Sequence, residues 1–120
     1  MEKEEITRNF DSYQSKSKTF LLGKFERMRK ANLAKYCALG LCEESGEVAG
    51  KIKKSIRDAD GKIDAERVEA IILEMGDVLW YLSIMAHALG VPFSYVAEKN
   101  IEKISDRWNR GVVHGEGDNR

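Results

Sequence analysis

The chain has 120 residues, with twenty acidic and twenty basic side chains and a formal net charge of zero. That length fits one domain, residues 1–120, with a real core. The charge balance excludes a global field toward nucleic acid or anionic lipid, so neither is an expected partner and charge chemistry is local. Cys37 and Cys42, five residues apart, form neither a CxxC redox pair nor a zinc knuckle and read as reduced helix-packing residues. The opening Met1-Glu2-Lys3-Glu4-Glu5 lacks the apolar stretch of a signal peptide, and a cytoplasmic location is the expectation.

In residues 1–32, Ile6, Phe10 and Tyr13 have helical spacing, and Phe20-Leu21-Leu22 is an apolar knot before a basic stretch from Lys24 to Lys35. This region reads as helix plus loop. From about Leu33 to Arg57, Leu41, Ser45, Val48, Ile52 and Ile56 recur at the three- and four-residue intervals of one helix face. Asp58-Ala59-Asp60-Gly61-Lys62 supplies turn chemistry, with Gly61 suited to the positive φ that ends a helix.

A second long helix is expected from about Asp64 to Leu89. Beyond Ala70 it is apolar almost all round, so it needs cover on several sides, and a second copy of the chain is the expected source of part of it. It does not read as a membrane span, because Glu74 and Asp77 leave only the fourteen residues Val78 to Val91 uncharged. After Gly90-Val91-Pro92-Phe93, Ser94 is the expected N-cap of a last helix reaching about Arg110. Ala97, Ile101, Ile104 and Trp108 are its expected buried stripe, and residues 111–120 form a glycine-rich tail. The fold class is all-α, a bundle of four main helices assembling into a homo-oligomer.

The chemistry lies in two acidic clusters. Glu43, Glu44 and Glu47 are separated by 26 residues from Glu74 and Asp77. Carboxylates three apart on a helix project from the same side, so Glu44 with Glu47 and Glu74 with Asp77 form two prongs. Like charges packed together oppose folding, and carboxylates inside an apolar helix need a partner. Either Lys and Arg from other helices neutralise them or a cation does, and the matching prongs favour the cation. All-oxygen ligands suit Mg²⁺, with Mn²⁺ as the alternative, rather than zinc. Di-iron bundles use Glu-x-x-His pairs, whereas here neither prong carries a histidine and His87 lies ten residues beyond Asp77 on another face. Lys51 and Lys54 continue the carboxylate face of the first long helix, and Asn100, Lys103, Arg107 and Arg110 share one side of the last helix. Acidic prongs beside basic stripes point to a polyphosphate ligand.

These residues resemble the all-α MazG-like nucleotide pyrophosphohydrolases, which carry Glu-Glu-x-x-Glu followed by Glu-x-x-Asp. The corresponding words here are Glu43-Glu44-Ser45-Gly46-Glu47 and Glu74-Met75-Gly76-Asp77, with further similarity through Ala38 to Leu41, Gly76 to Tyr81, Asn100 to Arg107, and the ending Gly115 to Arg120. The resemblance covers roughly residues 36 to 120. It implies hydrolysis of a nucleoside triphosphate between its α and β phosphates to a monophosphate and pyrophosphate. It further implies Glu44, Glu47, Glu74 and Asp77 as Mg²⁺ ligands in the catalytic set. Glu43 points about 100° from Glu44 and takes an accessory place in that set. Lys51, Lys54, Asn100, Lys103, Arg107 and Arg120 are the expected phosphate or nucleotide contacts, and Trp80 and Tyr81 the candidate base contacts. Partners are the nucleoside triphosphate and other copies of the chain, as a homodimer or a pair of dimers. A narrower relative, dUTPase-like or a phosphoribosyl-ATP pyrophosphohydrolase, remains an alternative, as does a non-catalytic helical regulatory module that binds metal or nucleotide.

Overall fold

The computed structural model describes residues 9–119, so Ile6 and the expected phosphate contact Arg120 lie outside the described residues. These residues form four helices and no strand. They are α1 (Phe10–Lys18), α2 (Lys30–Ala59), α3 (Ala65–Ala88) and α4 (Phe93–Asn109).

Local chemistry sets each boundary. The Asn9 side chain accepts from the amides of Asp11 and Ser12 and starts α1. At the end of α2 the left-handed turn is shared by Asp60 (φ 53°) and Gly61 (φ 78°), and the Gly61 amide returns to the Ser55 carbonyl. Asp64 then caps α3 twice over, one carboxylate oxygen accepting from the Arg67 amide and the other from its guanidinium, both at 2.9 Å. The connection is short, so α2 and α3 form a hairpin. Its antiparallel sense follows from the pairings, since Gly40 meets Tyr81 while Lys51 meets Glu74.

The start of α4 differs from expectation. Pro92 occupies the cap position and offers no side-chain hydrogen bond, while Ser94 lies within the first turn. The capping group comes from α1. Asp11 accepts from both the Ser94 amide and its hydroxyl at 2.8 Å, placing a carboxylate where free amides and the helix dipole favour one. Gln14 completes the joint by donating to the carbonyls of Ser83 and Val91 and accepting from the Phe93 amide.

The core lies at the end of the hairpin away from its turn. Leu33 and Cys37 from α2 are buried with Ile84 and Ala88 from α3, and Leu21, Met28, Trp80 and Met85 pack around them. Cys37 thus has the expected packing role, whereas Cys42 is exposed; both are free thiols. The turn-side half of α3 is uncovered within one chain, with Leu73 71 % exposed and Ile72 and Met75 also exposed. The stripe expected to be buried on α4 is likewise turned outward, with Ile101, Ile104 and Trp108 exposed. Its physical reason is that α4 packs against α1 and α3 but does not touch α2. Its buried side chains are Phe93 and Arg107.

Candidate active site

Halfway along the hairpin, α2 and α3 bring their carboxylates together. One ligand oxygen each from Glu44, Glu74 and Asp77 lie within 4.8 Å of one another. Glu47 is not part of that cluster, and Glu43 and Glu47 are both exposed. Desolvation, followed by the charges of Asp77, Glu43, Glu74 and Glu47, raises the Glu44 carboxyl above its ordinary value. Glu74 is half-buried, but Asp77 is exposed in the single chain rather than enclosed by apolar neighbours as the sequence of α3 suggests. The apolar residues beside it face outward as well, so its surroundings are open.

Lys51 is paired with Glu74 at 3.5 Å, so the cation expected to meet phosphate neutralises a carboxylate across the hairpin here. On that side, toward the α2–α3 turn, Lys51, Lys54 and Arg67 line one cleft of about 270 Å³, together with Asp58 and Glu66. Arg67 is absent from the expected set. Its signal lies in its seven-residue interval before Glu74, which places it on nearly the same face two turns away.

On the other side of the carboxylates is an aromatic cavity of about 170 Å³, walled by Phe20, Phe25, Tyr36, Trp80 and Tyr81. Its rings pack directly, Phe25 on Tyr36 at 4.6 Å and Trp80 edge-on to Tyr81 at 5.1 Å. The Trp80 indole donates to the Ser17 carbonyl. Gly40 is where the Tyr81 ring crosses α2 so closely that a Cβ would run into it. Burial, then the hydrogen bond with Tyr36, and then the charges of Tyr36, Glu44 and Glu43 push the Tyr81 phenol up to about 12. The tyrosine is therefore a neutral donor at physiological pH, within electrostatic reach of the carboxylates. Tyr36 escaped the sequence reading, although Tyr36, Gly40 and Glu44 follow one another at four-residue spacing along one face.

The α4 residues are elsewhere. Asn100 and Lys103 border an open groove with Tyr95 and Lys99, and the buried Arg107 donates to the carbonyl and carboxylate of Asp118 at 3.2 Å. Lys103 also approaches Asp118, at 3.8 Å, and Arg110 pairs with Asp106. Since α4 does not touch α2, one chain does not bring these groups to Glu44. His87 is likewise apart from the carboxylates and meets Lys30.

The profile of the MazG nucleotide pyrophosphohydrolase domain matches residues 34–112, a span containing the carboxylates, Lys51, Lys54, Arg67 and α4. The chain belongs to the MazG nucleotide pyrophosphohydrolase family. MazG domains are hydrolases acting on nucleotide pyrophosphate bonds, and the all-helical architecture agrees with their fold. The chain is similar to Gene 37 protein of Mycobacterium phage L5, with 45 % identity over 85 residues, covering 71 % of this chain and 75 % of that protein. No solved structure matches. The MazG match begins after α1 and the 20–29 segment, so two of the walls of the aromatic cavity, Phe20 and Phe25, come from outside it. Among the described residues, no helix is long and apolar enough to cross a membrane.

Proposed function

We propose that this chain hydrolyses nucleoside triphosphates between the α and β phosphates, releasing a nucleoside monophosphate and pyrophosphate, with Mg²⁺ or Mn²⁺. The observation that carries this reading is the order of groups along the hairpin: an aromatic cavity, three converging carboxylates, then a basic cleft. A nucleotide has the same order, with a planar base, an α phosphate and an anionic tail.

The donor set fits a hard divalent ion, since the converging groups are carboxylates with neither His nor Cys among them. Glu44, Glu74 and Asp77 would hold it, with Glu47 as a further candidate ligand. When bound, such an ion offsets phosphate charge and lowers the pKa of coordinated water. Glu43 adds to the negative field on Glu44 and Tyr81 without belonging to the cluster. Lys51 leaves Glu74 free for ligation by turning toward the phosphates, where Lys54 and Arg67 already line the cleft. Trp80 and Tyr81, with Tyr36, hold the base.

Assembly into a homodimer or a pair of dimers forms part of the proposal. The uncovered apolar faces of α3 and α4 support it. So does the position of Asn100, Lys103 and Arg107, whose role toward phosphate requires a neighbouring copy's carboxylates.

The deciding experiment measures pyrophosphate release from a panel of canonical and modified nucleoside triphosphates with Mg²⁺, for wild type and Glu74→Gln. Release by the wild type and its loss in the variant are expected. No release from any substrate, or an unaffected variant, overturns the catalytic reading and leaves a binding module. Product identity separates a general pyrophosphohydrolase from a dUTPase-like or phosphoribosyl-ATP-specific one.

A further inference from the structure

The zero net charge conceals a segregation. Residues 16–35 hold seven Lys and Arg against Glu26 alone, so the remaining hundred residues hold thirteen basic against nineteen acidic side chains. The segment spans the end of α1, the 20–29 connection and the start of α2, and most of its cations are exposed.

These cations also differ in their partners. Elsewhere seven of the ten described cations, Lys51, Arg57, Arg67, Lys99, Lys103, Arg107 and Arg110, each meet a carboxylate, while Lys53, Lys54 and Lys62 form no ion pair among the described residues. Within 16–35, no described cation forms an ion pair. Some of them converge instead: the Lys30 ammonium lies 2.7 Å from His87 Nε2, and burial, then Lys30, then Lys18 lower the imidazole's pKa. His87 therefore accepts from Lys30 as a neutral ring. The first turn of α2 contributes no acidic side chain to offset this field.

Apolar rings are set among the cations. Phe20 is 59 % exposed beneath the Lys16 ammonium, which stands 5.5 Å from the ring centroid. Lys24 stands 5.4 Å from the Phe25 ring, and Leu22, nearby in the chain, is 70 % exposed. Cations that track a phosphate backbone, interleaved with rings on which bases stack, form the recognition chemistry of single-stranded nucleic acid. A lipid surface would instead favour apolar side chains projecting together from one side. Here Leu21 turns inward against the core while Phe20 and Leu22 turn outward.

We propose that the 16–35 surface binds single-stranded nucleic acid, through Lys18, Arg27, Arg29 and Lys30 on the phosphates and Phe20, which also walls the aromatic cavity, on a base, with phosphate contacts separate from the carboxylates. This inference does not rest on the catalytic reading, because it requires neither a divalent ion nor hydrolysis.

The test is fluorescence anisotropy of a labelled single-stranded oligonucleotide of about 12 nucleotides, in chelator, with the full chain. Binding is expected, weakening between about 50 and 200 mM salt with a log–log slope near −3, as about four phosphate contacts on a single strand require. The triple variant Lys18→Glu, Arg27→Glu, Arg29→Glu is expected to lose roughly tenfold or more in affinity, with a shallower slope. Phe20→Ala should weaken binding while leaving the slope unchanged. Should the triple variant unfold, the glutamine versions and the wild-type slope carry the same decision. No binding at the lowest salt, an affinity unmoved by the charge variants, or a salt-independent affinity overturns the proposal. So does displacement of the oligonucleotide by micromolar nucleoside triphosphate, which would place it at the nucleotide site. Binding to anionic vesicles with no binding to oligonucleotide would assign the surface to lipid instead and equally overturn it.

Discussion

The two halves of α3 share a helix and a hydropathy but have opposite fates. Beyond Trp80, Ser83, Ile84, Ala86 and Ala88 are buried against α1 and α2, whereas before Asp77 the similarly apolar Ile72, Leu73 and Met75 face outward. Hydropathy alone therefore does not say which residues a chain can cover for itself. The first half of the hairpin's core is completed by residues 17–28, through Ser17, Leu21 and Met28. Among the described residues, no corresponding segment reaches the turn-side half. The carboxylates sit at the border, held by a packed end and opening onto an uncovered one.

Five tests break or sharpen that contrast. Glu74→Gln at the border is expected to lower pyrophosphate release by roughly 10²–10³-fold, while the thermal midpoint in chelator stays nearly level, because removing one of three converging like charges offsets the loss of the Lys51 ion pair. A parallel fall in stability would mean that Glu74 is structural. In the packed half, Ile84→Ala is expected to cost about 2–5 kcal/mol in denaturant unfolding. In the open half, Leu73→Arg should leave the fold intact yet shift sedimentation toward the monomer, and an unchanged profile would free that face from any role in assembly.

Gly40→Ala probes the packed end close to the site. The added Cβ displaces the Tyr81 ring, at an expected cost of about 1–3 kcal/mol, and should raise the KM for nucleotide more than it lowers kcat. The smallest effect concerns pH. Because His87 has a lowered pKa when folded, its contribution to stability is complete above about 6.5 and is lost as pH falls through the folded value. His87→Gln should flatten the acid side of a melting-temperature profile. Lys30→Met should narrow the window by bringing the folded imidazole nearer its ordinary value.

Much of this was legible in the sequence because it is local. Periodicity and the turn residues Asp60, Gly61 and Gly90 mark α2, α3 and α4 to within a few residues, and the words around Glu44 and Glu74 identify the family. What was not legible depends on contacts between distant residues. Ser94 has the chemistry of a cap, yet the carboxylate that serves α4 comes from Asp11, 83 residues earlier. Lys51 lies on the face predicted for phosphate, but its pairing with Glu74 requires the hairpin register. The stripe on α4 has correct helical spacing, but spacing cannot report that the helix departs from α2. Arg107 reads as a phosphate ligand from its family word and is found buried against Asp118, because the tail turns back upon the helix.

Gln14 bridges Ser83, Val91 and Phe93 with a single amide and so works as a set-square at the corner between α3 and α4. The angle at which α4 leaves the hairpin is thereby ruled from α1, outside the span that matches the family. Relatives sharing every residue of the hairpin but a different first helix would aim their last helix elsewhere. The reach of the basic side chains on α4 is then a property of the N-terminal segment, and trimming it during protein engineering would reset the geometry of any assembly.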